Sequence, residues 1–301
     1  MNPERALITG GGGQLASDLA TLLDRRSDVY SPSRAQLDIT DDNAVDAAFA
    51  AFRPTLVLNC AAFHNVELCE RDEERAFAVN ARAVGRLAKR CSEVGAKLVH
   101  ISTNYVFDGA AAQPYAEDDL PAPRSIYGIS KLAGEHAATS YAQGALVVRT
   151  AGLYGLHGSA SKGGNFVTRM VERARGQGTL SVVADQLLTP TFTADLASGI
   201  LDAVARGVSG TLHLTNAGAT SWHGFTEAIM LLLGIEVEVE PIATTQPVGG
   251  ADRPLNGVMR SSVAADAGLA SLRAWQEALS DYLQLAGLLA PRDNRMLVPN
   301  L

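Results

Sequence analysis

The 301-residue sequence has few cysteines, no long apolar run and no excess of positive charge. Its three cysteines, Cys60, Cys69 and Cys91, have no CxxC spacing, so neither a disulfide framework nor a thiolate zinc site is indicated, and a reducing compartment fits best. No apolar stretch approaches the roughly 20 residues of a membrane span, and the N-terminus lacks the apolar segment of a signal peptide. We therefore expect a cytoplasmic protein with no membrane partner.

Positive charge is scarce, because 25 Lys and Arg stand against 32 Asp and Glu for a net charge of −7. Nucleic acids and anionic membranes select basic patches, so a small molecule is the expected partner and nucleic acid is not. The six histidines form no metal-binding spacing such as HExxH, and no metal is predicted.

Strand-length apolar runs alternate with helical periodicity through the first half of the chain. Strands are predicted at residues 6–9, 28–31, 55–59, 97–102 and 146–150, and helices at 14–23, 42–52, 72–94 and around 125–131. The strands are apolar throughout, as expected when helices cover both faces of a parallel sheet. The pattern predicts an α/β fold with a doubly wound, Rossmann-like parallel sheet.

This alternation also predicts how the chain divides. We expect a dinucleotide-binding domain over residues 1–150 and a smaller, less regular part over 151–301 that mainly binds substrate. A segment at about 190–216 is expected to return to the first domain. In α/β enzymes such a C-terminal part builds the substrate pocket against the strand ends, which predicts a cleft between the two parts.

A glycine-rich segment, Thr9 to Ala16 (TGGGGQLA), directly follows the first predicted strand and opens the first helix. Glycines such as Gly10 and Gly13 let the backbone turn tightly and approach a pyrophosphate, while the helix N-terminus attracts phosphate groups. The segment predicts a dinucleotide site, and the alternative is a flexible strand-to-helix turn.

The end of the second predicted strand indicates which dinucleotide binds. The segment Tyr30-Ser31-Pro32-Ser33-Arg34 has no carboxylate for a ribose 2′-hydroxyl, whereas Arg34 is placed to accept a 2′-phosphate beside Ser33. NADPH is therefore predicted, with NADH as the alternative, although Arg34 is also compatible with a solvated surface role. Asp38 is a candidate to bind the adenine amino group.

Tyr127 and Lys131 are four residues apart, so on a helix they share one face. A nearby cation favours phenolate, and we expect Lys131 to lower the pKa of Tyr127 and make it a proton donor. Thr103 follows the fourth predicted strand, where its hydroxyl would converge with the phenol and the ammonium on one carbonyl oxygen. A role for Ser102 or Thr103 in merely capping the strand end is the alternative.

Asn80 lies inside the predicted helix at 72–94, where asparagine is unfavourable by propensity. Its presence there indicates a specific hydrogen bond, whose role is either structural or functional.

The motifs VHISTNYVFDG at 99–109 and YGISKLAGE at 127–135, together with the glycine-rich segment, resemble the extended short-chain dehydrogenase/reductase family, and within it the dTDP-4-dehydrorhamnose reductase group. The resemblance runs almost end to end. It implies that Tyr127 protonates a sugar C4 oxygen, that Lys131 tunes Tyr127 and binds the nicotinamide ribose, and that Thr103 bonds the same carbonyl. The positions that match cofactor contacts are Gly13, Gln14, Leu15, Asp38, Ile39, Ala62, Phe63 and His64, and Tyr127 and Lys131 are expected to contact the cofactor as well.

Two departures from this group concern the substrate. Asn104 stands where the group usually has Asp, and Gly152 stands where it usually has a Trp that packs on the sugar. A nucleotide sugar is the expected substrate, with both positions in its binding site, and the resemblance implies a homodimer. The alternatives are a non-catalytic NADP-binding regulatory protein of the same fold and a different nucleotide-sugar reductase or epimerase.

Overall fold

The computed structural model describes residues 5–24, 27–157, 164–176, 178–245 and 250–289. Within these ranges the strands are, in chain order, β1 Arg5–Thr9, β2 Asp28–Tyr30, β3 Leu56–Asn59, β4 Lys97–Thr103, β5 Leu146–Thr150, β6 Leu153–Tyr154, β7 Thr179–Val183, β8 Leu187–Leu188, β9 Thr191–Phe192, β10 Gly210–His213, β11 Thr220–Ser221 and β12 Glu238–Ile242.

The helices of the same ranges are α1 Gln14–Leu23, α2 Asp42–Phe52, α3 Val66–Arg71, α4 Glu73–Phe77, α5 Ala83–Val94, α6 Ile126–Tyr141, α7 Phe166–Gly176, α8 Thr193–Ala205, α9 Trp222–Leu233, α10 Val263–Asp266 and α11 Trp275–Leu285. A π-helical turn, Ala78–Arg82, joins α4 to α5, and a 3₁₀ turn, Asn104–Val106, follows β4. None of the described helices is both long and apolar enough to cross a membrane.

The main sheet has six strands in the order β10-β5-β4-β3-β1-β2, and every pair is parallel. The order reverses direction at β1, as expected of a doubly wound sheet. The predicted fold class is therefore confirmed. The sixth strand, β10, comes from beyond residue 150 and pairs with β5 at the edge of the sheet.

Helices cover both faces of this sheet. Successive residues of a strand point to opposite faces, so neighbouring strand residues pack against different helices. Ile8 packs with Leu19 of α1 and Ile200 of α8 on one face. Leu7 packs on the other face with Phe49 of α2 and residues of α5 and α6. Burial on both sides explains why the strands read as continuous apolar runs.

The rest of the C-terminal part builds its own core from α7, β7, α9 and α11. Aromatic rings dominate that core, among them Tyr154, Phe192, Phe225 and Tyr282. A two-stranded parallel sheet of β7 and β12 flanks it. This layer stands against the carboxyl ends of the main strands and closes one side of a large cavity.

Helical boundaries agree with the sequence for α1 and α2 but not for the helix expected at 72–94. That segment begins at Glu73 and is interrupted by the π turn Ala78–Arg82. A wide turn of this kind carries one extra residue per turn and occurs frequently at functional sites. Here it contains the buried Asn80.

Candidate active site

A cavity of about 1200 Å³ lies at the carboxyl ends of the main strands, between the sheet and the C-terminal layer. It brings together all of the residues that the sequence assigns to cofactor, catalysis or substrate. These are Gly10, Gly13, Gln14, Leu15, Ser33, Arg34, Asp38, Ile39, Ala62, Phe63, His64, Thr103, Asn104, Tyr127, Lys131 and Gly152.

The glycine-rich turn supplies the anion-binding end of the cavity. Gly10 and Gly12 have φ angles of 78° and 79°, which residues with a Cβ rarely adopt. A Cβ at Gly11 would overlap the carbonyl groups of residues 31 and 32, so the turn packs directly on the chain that follows β2. Gly13 is the N-cap residue of α1 and has no side chain that could bond the first amides of the helix. Those amides are therefore left for a ligand. The turn therefore fits a pyrophosphate.

Arg34 lies at the rim of this end and is held by Asp38. The Arg34 Nε and Nη2 atoms each lie 3.0 Å from Asp38 Oδ2, while Thr40 donates from its amide and hydroxyl to Oδ1. Burial raises the pKa of Asp38, but the hydrogen bonds from Thr40 and Arg34 outweigh it, and the net pKa is lowered. Asp38 thus stays ionised and orients a cation that suits a 2′-phosphate.

Asn80 joins the loop after β3 to α6. Its Oδ1 accepts from the Phe63 amide at 2.8 Å, and its Nδ2 donates to the Phe63 carbonyl and to Ser130 Oγ, both at 3.0 Å. The specific hydrogen bond predicted for Asn80 is confirmed. Because Phe63 lines the cavity, this asparagine sets the wall against which a cofactor would lie.

Local sequence determines how α6 presents its side chains. Ser125 caps the helix by accepting from the Gly128 amide at 3.2 Å. A Cβ at Gly128 would overlap the Tyr105 carbonyl, so only glycine lets α6 approach the 3₁₀ turn this closely. Tyr127 and Lys131 lie one turn apart on the same helix, and both line the cavity.

The ring of Tyr127 packs edge-on against Tyr105 with centroids 5.5 Å apart. Burial raises the pKa of Tyr127 above its ordinary value, and the nearby Thr103 hydroxyl only partly offsets this. The expectation that Lys131 lowers this pKa is therefore wrong for this structure. The reason is that the Lys131 ammonium is turned toward β4 and bonds there instead.

Lys131 is almost fully buried, with 2% of its surface exposed. Its Nζ donates to the Ile101 carbonyl at 2.5 Å and lies 3.2 Å from His100 Nε2. Burial lowers the pKa of Lys131 to about 8, against the opposing influence of Glu135 and Cys60. Because this pKa lies close to neutral pH, a small change in the surroundings of the ammonium changes its charge.

The two hydroxyl residues that end β4 have different partners. The Ser102 hydroxyl bonds Glu135 beneath α6, whereas the Thr103 hydroxyl donates to Asn104 Oδ1 at 3.3 Å. Thr103 also caps the 3₁₀ turn by accepting from the Tyr105 amide at 3.2 Å, so the capping role and a role at the site coexist.

Asn104 and Gly152 both line the cavity, and the backbone conformation explains Gly152. A Cβ at Gly257 would overlap Asn104 Nδ2, so the amide occupies space that a larger residue at 257 would need. Gly152 has a φ of 57°, and a Cβ there would lie 2.8 Å from Leu188 Cδ1. Position 152 therefore has no room for a tryptophan in this conformation.

The opposite wall comes from the C-terminal layer and was missed by the sequence reasoning. Phe166 and Trp222 pack with ring centroids 4.5 Å apart, and Arg169 and Arg173 of α7 line the same side. Phe166, Arg169 and Arg173 share one face of α7, a spacing that helix periodicity could have shown, whereas Trp222 comes from α9 and no sequence signal joins it to them. Arg253 also lines the cavity and pairs with Glu67 across its mouth at 3.0 Å.

Comparison with known proteins supports the resemblance seen in the motifs. A family model described as the RmlD substrate binding domain matches residues 4–287. The dTDP-4-dehydrorhamnose reductase of Streptomyces griseus is 40% identical over 290 residues, which cover 92% of this chain and 92% of the relative. A probable dTDP-4,6-dihydroxy-2-methyloxan-3-one 4-ketoreductase of Streptomyces antibioticus is 42% identical over 282 residues, covering 92% and 94%. The structure of dTDP-4-dehydrorhamnose reductase from Bacillus anthracis in complex with NADP is 34% identical with a TM-score of 0.88, covering 93% and 97%.

Proposed function

The chain belongs to the RmlD substrate-binding domain family, and we propose that it reduces the C4 carbonyl of a nucleotide-linked 4-keto-6-deoxy sugar, as a dTDP-4-dehydrorhamnose reductase does. The observation that carries this proposal is the meeting of Thr103, Tyr127 and Lys131 in the cavity that also contains the glycine-rich turn. NADPH is the proposed cofactor, since Arg34 stands at the rim and the relative from Bacillus anthracis binds NADP.

When bound, NADPH supplies the hydride that attacks C4. The Tyr127 hydroxyl donates its proton to the C4 oxygen as negative charge develops there, and Thr103 donates a hydrogen bond to the same atom. The raised pKa of Tyr127 keeps the phenol protonated until negative charge on the C4 oxygen makes that oxygen basic enough to accept the proton. Lys131 lies one helical turn away with its ammonium bonded to β4, and its proposed role is to place positive charge beneath the site, where it would bind the nicotinamide ribose.

The C-terminal wall supports a nucleotide-linked substrate. Arg169 and Arg173 place two cations on one side of the cavity, which suits a diphosphate, and the rings of Phe166 and Trp222 suit the stacking of a base. The sugar would then lie between this wall and Tyr127, beside Asn104 and Gly152. The relative from Streptomyces antibioticus is named for a different ketosugar, so a panel of sugars must decide the substrate.

The test is turnover with purified protein. dTDP-4-keto-6-deoxy sugars are mixed with NADPH and its oxidation is followed by the loss of absorbance at about 340 nm. We expect turnover by the wild type and a loss of about a thousandfold in Tyr127→Phe, the usual contribution of a general acid. Calorimetry should show that Tyr127→Phe still binds NADPH, so the loss of turnover is not a loss of the fold or of the cofactor site. Equal rates for the two proteins would contradict the role given to Tyr127.

The same measurements separate the alternatives. NADPH binding without turnover on any sugar nucleotide would indicate a non-catalytic regulatory protein and overturn the reductase proposal. Product analysis by NMR distinguishes a reduced sugar from an epimer. We also propose a homodimer in the cytoplasm, and light scattering that gives the mass of a single chain would contradict the dimer.

A further inference from the structure

A row of three buried polar residues crosses the main sheet below the cavity. Thr9, Asn59 and His100 are register partners on the adjacent strands β1, β3 and β4. The Thr9 hydroxyl lies 2.7 Å from Asn59 Oδ1, and Asn59 Nδ2 lies 3.0 Å from His100 Nδ1. All three residues are 0% exposed.

Lys131 completes this row from α6. Its Nζ lies 3.2 Å from His100 Nε2, so the imidazole is bonded through both ring nitrogens. Buried polar groups are costly unless they are paired, and an apolar residue would fill any of these sheet positions more cheaply. The cost of these polar residues is therefore explained by the group that they bind at the end of the row, the ammonium of Lys131.

We propose that His100 is a positioning residue that holds the Lys131 ammonium against β4, at the edge of the cavity, by a hydrogen bond through Nε2, with Asn59 and Thr9 holding the ring. This inference rests on the proposed reductase function. The row ends in the buried Thr9 at one side, and on β5 the register partner of His100 is the apolar Val147. Within the described part of the chain, the row therefore opens only at Lys131, on the cavity side, so it orients the ammonium and offers no route for its proton through the sheet.

The imidazole can bond Lys131 in either charge state of the lysine. Burial and the neighbouring Lys131 lower the pKa of His100 well below its ordinary value, so the ring is neutral. In the orientation described, Asn59 Nδ2 donates to Nδ1, so Nε2–H donates to a neutral Lys131. When Lys131 is charged, Nε2 accepts and Nδ1–H donates, which requires the Asn59 amide to turn and present its oxygen to the ring. The Thr9 hydroxyl both donates and accepts, so it satisfies either orientation of the amide.

The charged or titratable groups acting on this pair are few. Lys131 is influenced by Glu135 of its own helix and by Cys60 just after β3, and His100 by Lys131. Space is tight, because a Cβ at Gly134 would lie 3.2 Å from His100 Nε2. The ring therefore has little freedom to turn away from the ammonium.

Two variants of His100 separate positioning from simple packing. His100→Gln places an amide near the position of Nε2 and keeps the bond to Lys131, whereas His100→Asn places one near Nδ1 and keeps only the bond to Asn59.

The charge of Lys131 is followed by NMR. The sequence has four lysines, so protein labelled with ¹³C at lysine Cε gives few signals, and Lys131→Arg assigns the signal of Lys131.

We expect His100→Asn to move the titration midpoint of Lys131 by more than about half a pH unit and to lower kcat about tenfold, as for a lost hydrogen bond to a charged group. His100→Gln should stay within about 0.2 pH units and about twofold of the wild type. Equal effects of both variants on the lysine titration, or no effect of either, would overturn the proposal. The unfolding midpoint of each variant reports folding separately. If the wild type reduces no sugar, the lysine titration still tests His100, so the two proposals fail independently.

Discussion

Glu135 and Arg149 form a buried ion pair that fastens α6 to β5. Arg149 Nη2 lies 2.7 Å from Glu135 Oε2, Nε lies 3.0 and 3.1 Å from the two carboxylate oxygens, and each side chain is 5% exposed. Glu135 follows Lys131 by one helical turn. The pair therefore connects the sheet directly to the helix that presents the site.

Removing one partner of this pair should cost much of the stability of the protein. Glu135→Gln leaves the Arg149 cation buried without its counterion, and the free energy of unfolding should fall by about 3 to 5 kcal/mol in urea titrations. Glu93→Gln is the matched control, because Glu93 pairs with Arg90 while 56% exposed. Its effect should stay below about 1 kcal/mol. Similar losses in the two variants would argue against the role given to the buried pair.

Burial of Lys131 should make stability depend on alkaline pH. Its pKa is lowered to about 8 in the folded protein from an ordinary value of 10.5, so between these values the unfolded chain binds more protons. The contribution of Lys131 to the free energy of unfolding therefore rises as the pH increases through this window. Between pH 7 and 10, wild type should gain on the order of 2 kcal/mol relative to Lys131→Met.

Urea unfolding at each pH measures this difference, and the other titrating groups largely cancel between the two proteins. Lys89→Met changes a lysine at an exposed position of α5 and serves as the control. A constant difference between wild type and Lys131→Met across the window would show that the ammonium is not destabilised by burial.

Arg34 should discriminate between the two nicotinamide cofactors. Its guanidinium is the cation that Asp38 orients at the rim, and a 2′-phosphate would add a charge-assisted contact there. Arg34→Ala should raise the Kd for NADPH about tenfold or more, and change the Kd for NADH by less than about twofold. Calorimetry with both cofactors measures this. A parallel loss for the two would assign Arg34 to a part of the site that both share.

Gly152 should resist substitution more strongly than a glycine of similar backbone conformation elsewhere. Gly144 has a φ of 73° with open space around it, so Gly144→Ala reports only the cost of the left-handed conformation, about 1 kcal/mol. Gly152→Ala adds crowding against Leu188 and should cost about 1 to 3 kcal/mol more. Unfolding in urea gives both values, and equal costs would indicate that the Leu188 side chain moves aside freely.

The sequence predicted the parts of this protein that depend on local order along the chain. A glycine turn between β1 and α1 and the Tyr127–Lys131 spacing on α6 need only neighbouring residues to be recognised, because their periods match helix and strand geometry. The sheet could be predicted for the same reason, since strands covered on both faces are apolar throughout.

Other features depended on contacts between distant segments. The interruption of the helix predicted at 72–94 follows from Asn80 bonding a loop 17 residues earlier, which helix periodicity does not register. The wall of Phe166, Arg169 and Trp222 is assembled from α7 and α9, which the folded chain places opposite the glycine turn.

The Tyr127–Lys131 pair shows which properties the sequence determines and which depend on the tertiary structure. Its spacing on one helix is a local property, and the sequence alone determined that the phenol and the ammonium share a face. The direction of each pKa depends on burial and on partners brought by other strands, so only the tertiary structure decided it. Burial raises the pKa of Tyr127, and His100 and Ile101 of β4 bind the ammonium that the spacing alone assigned to the phenol.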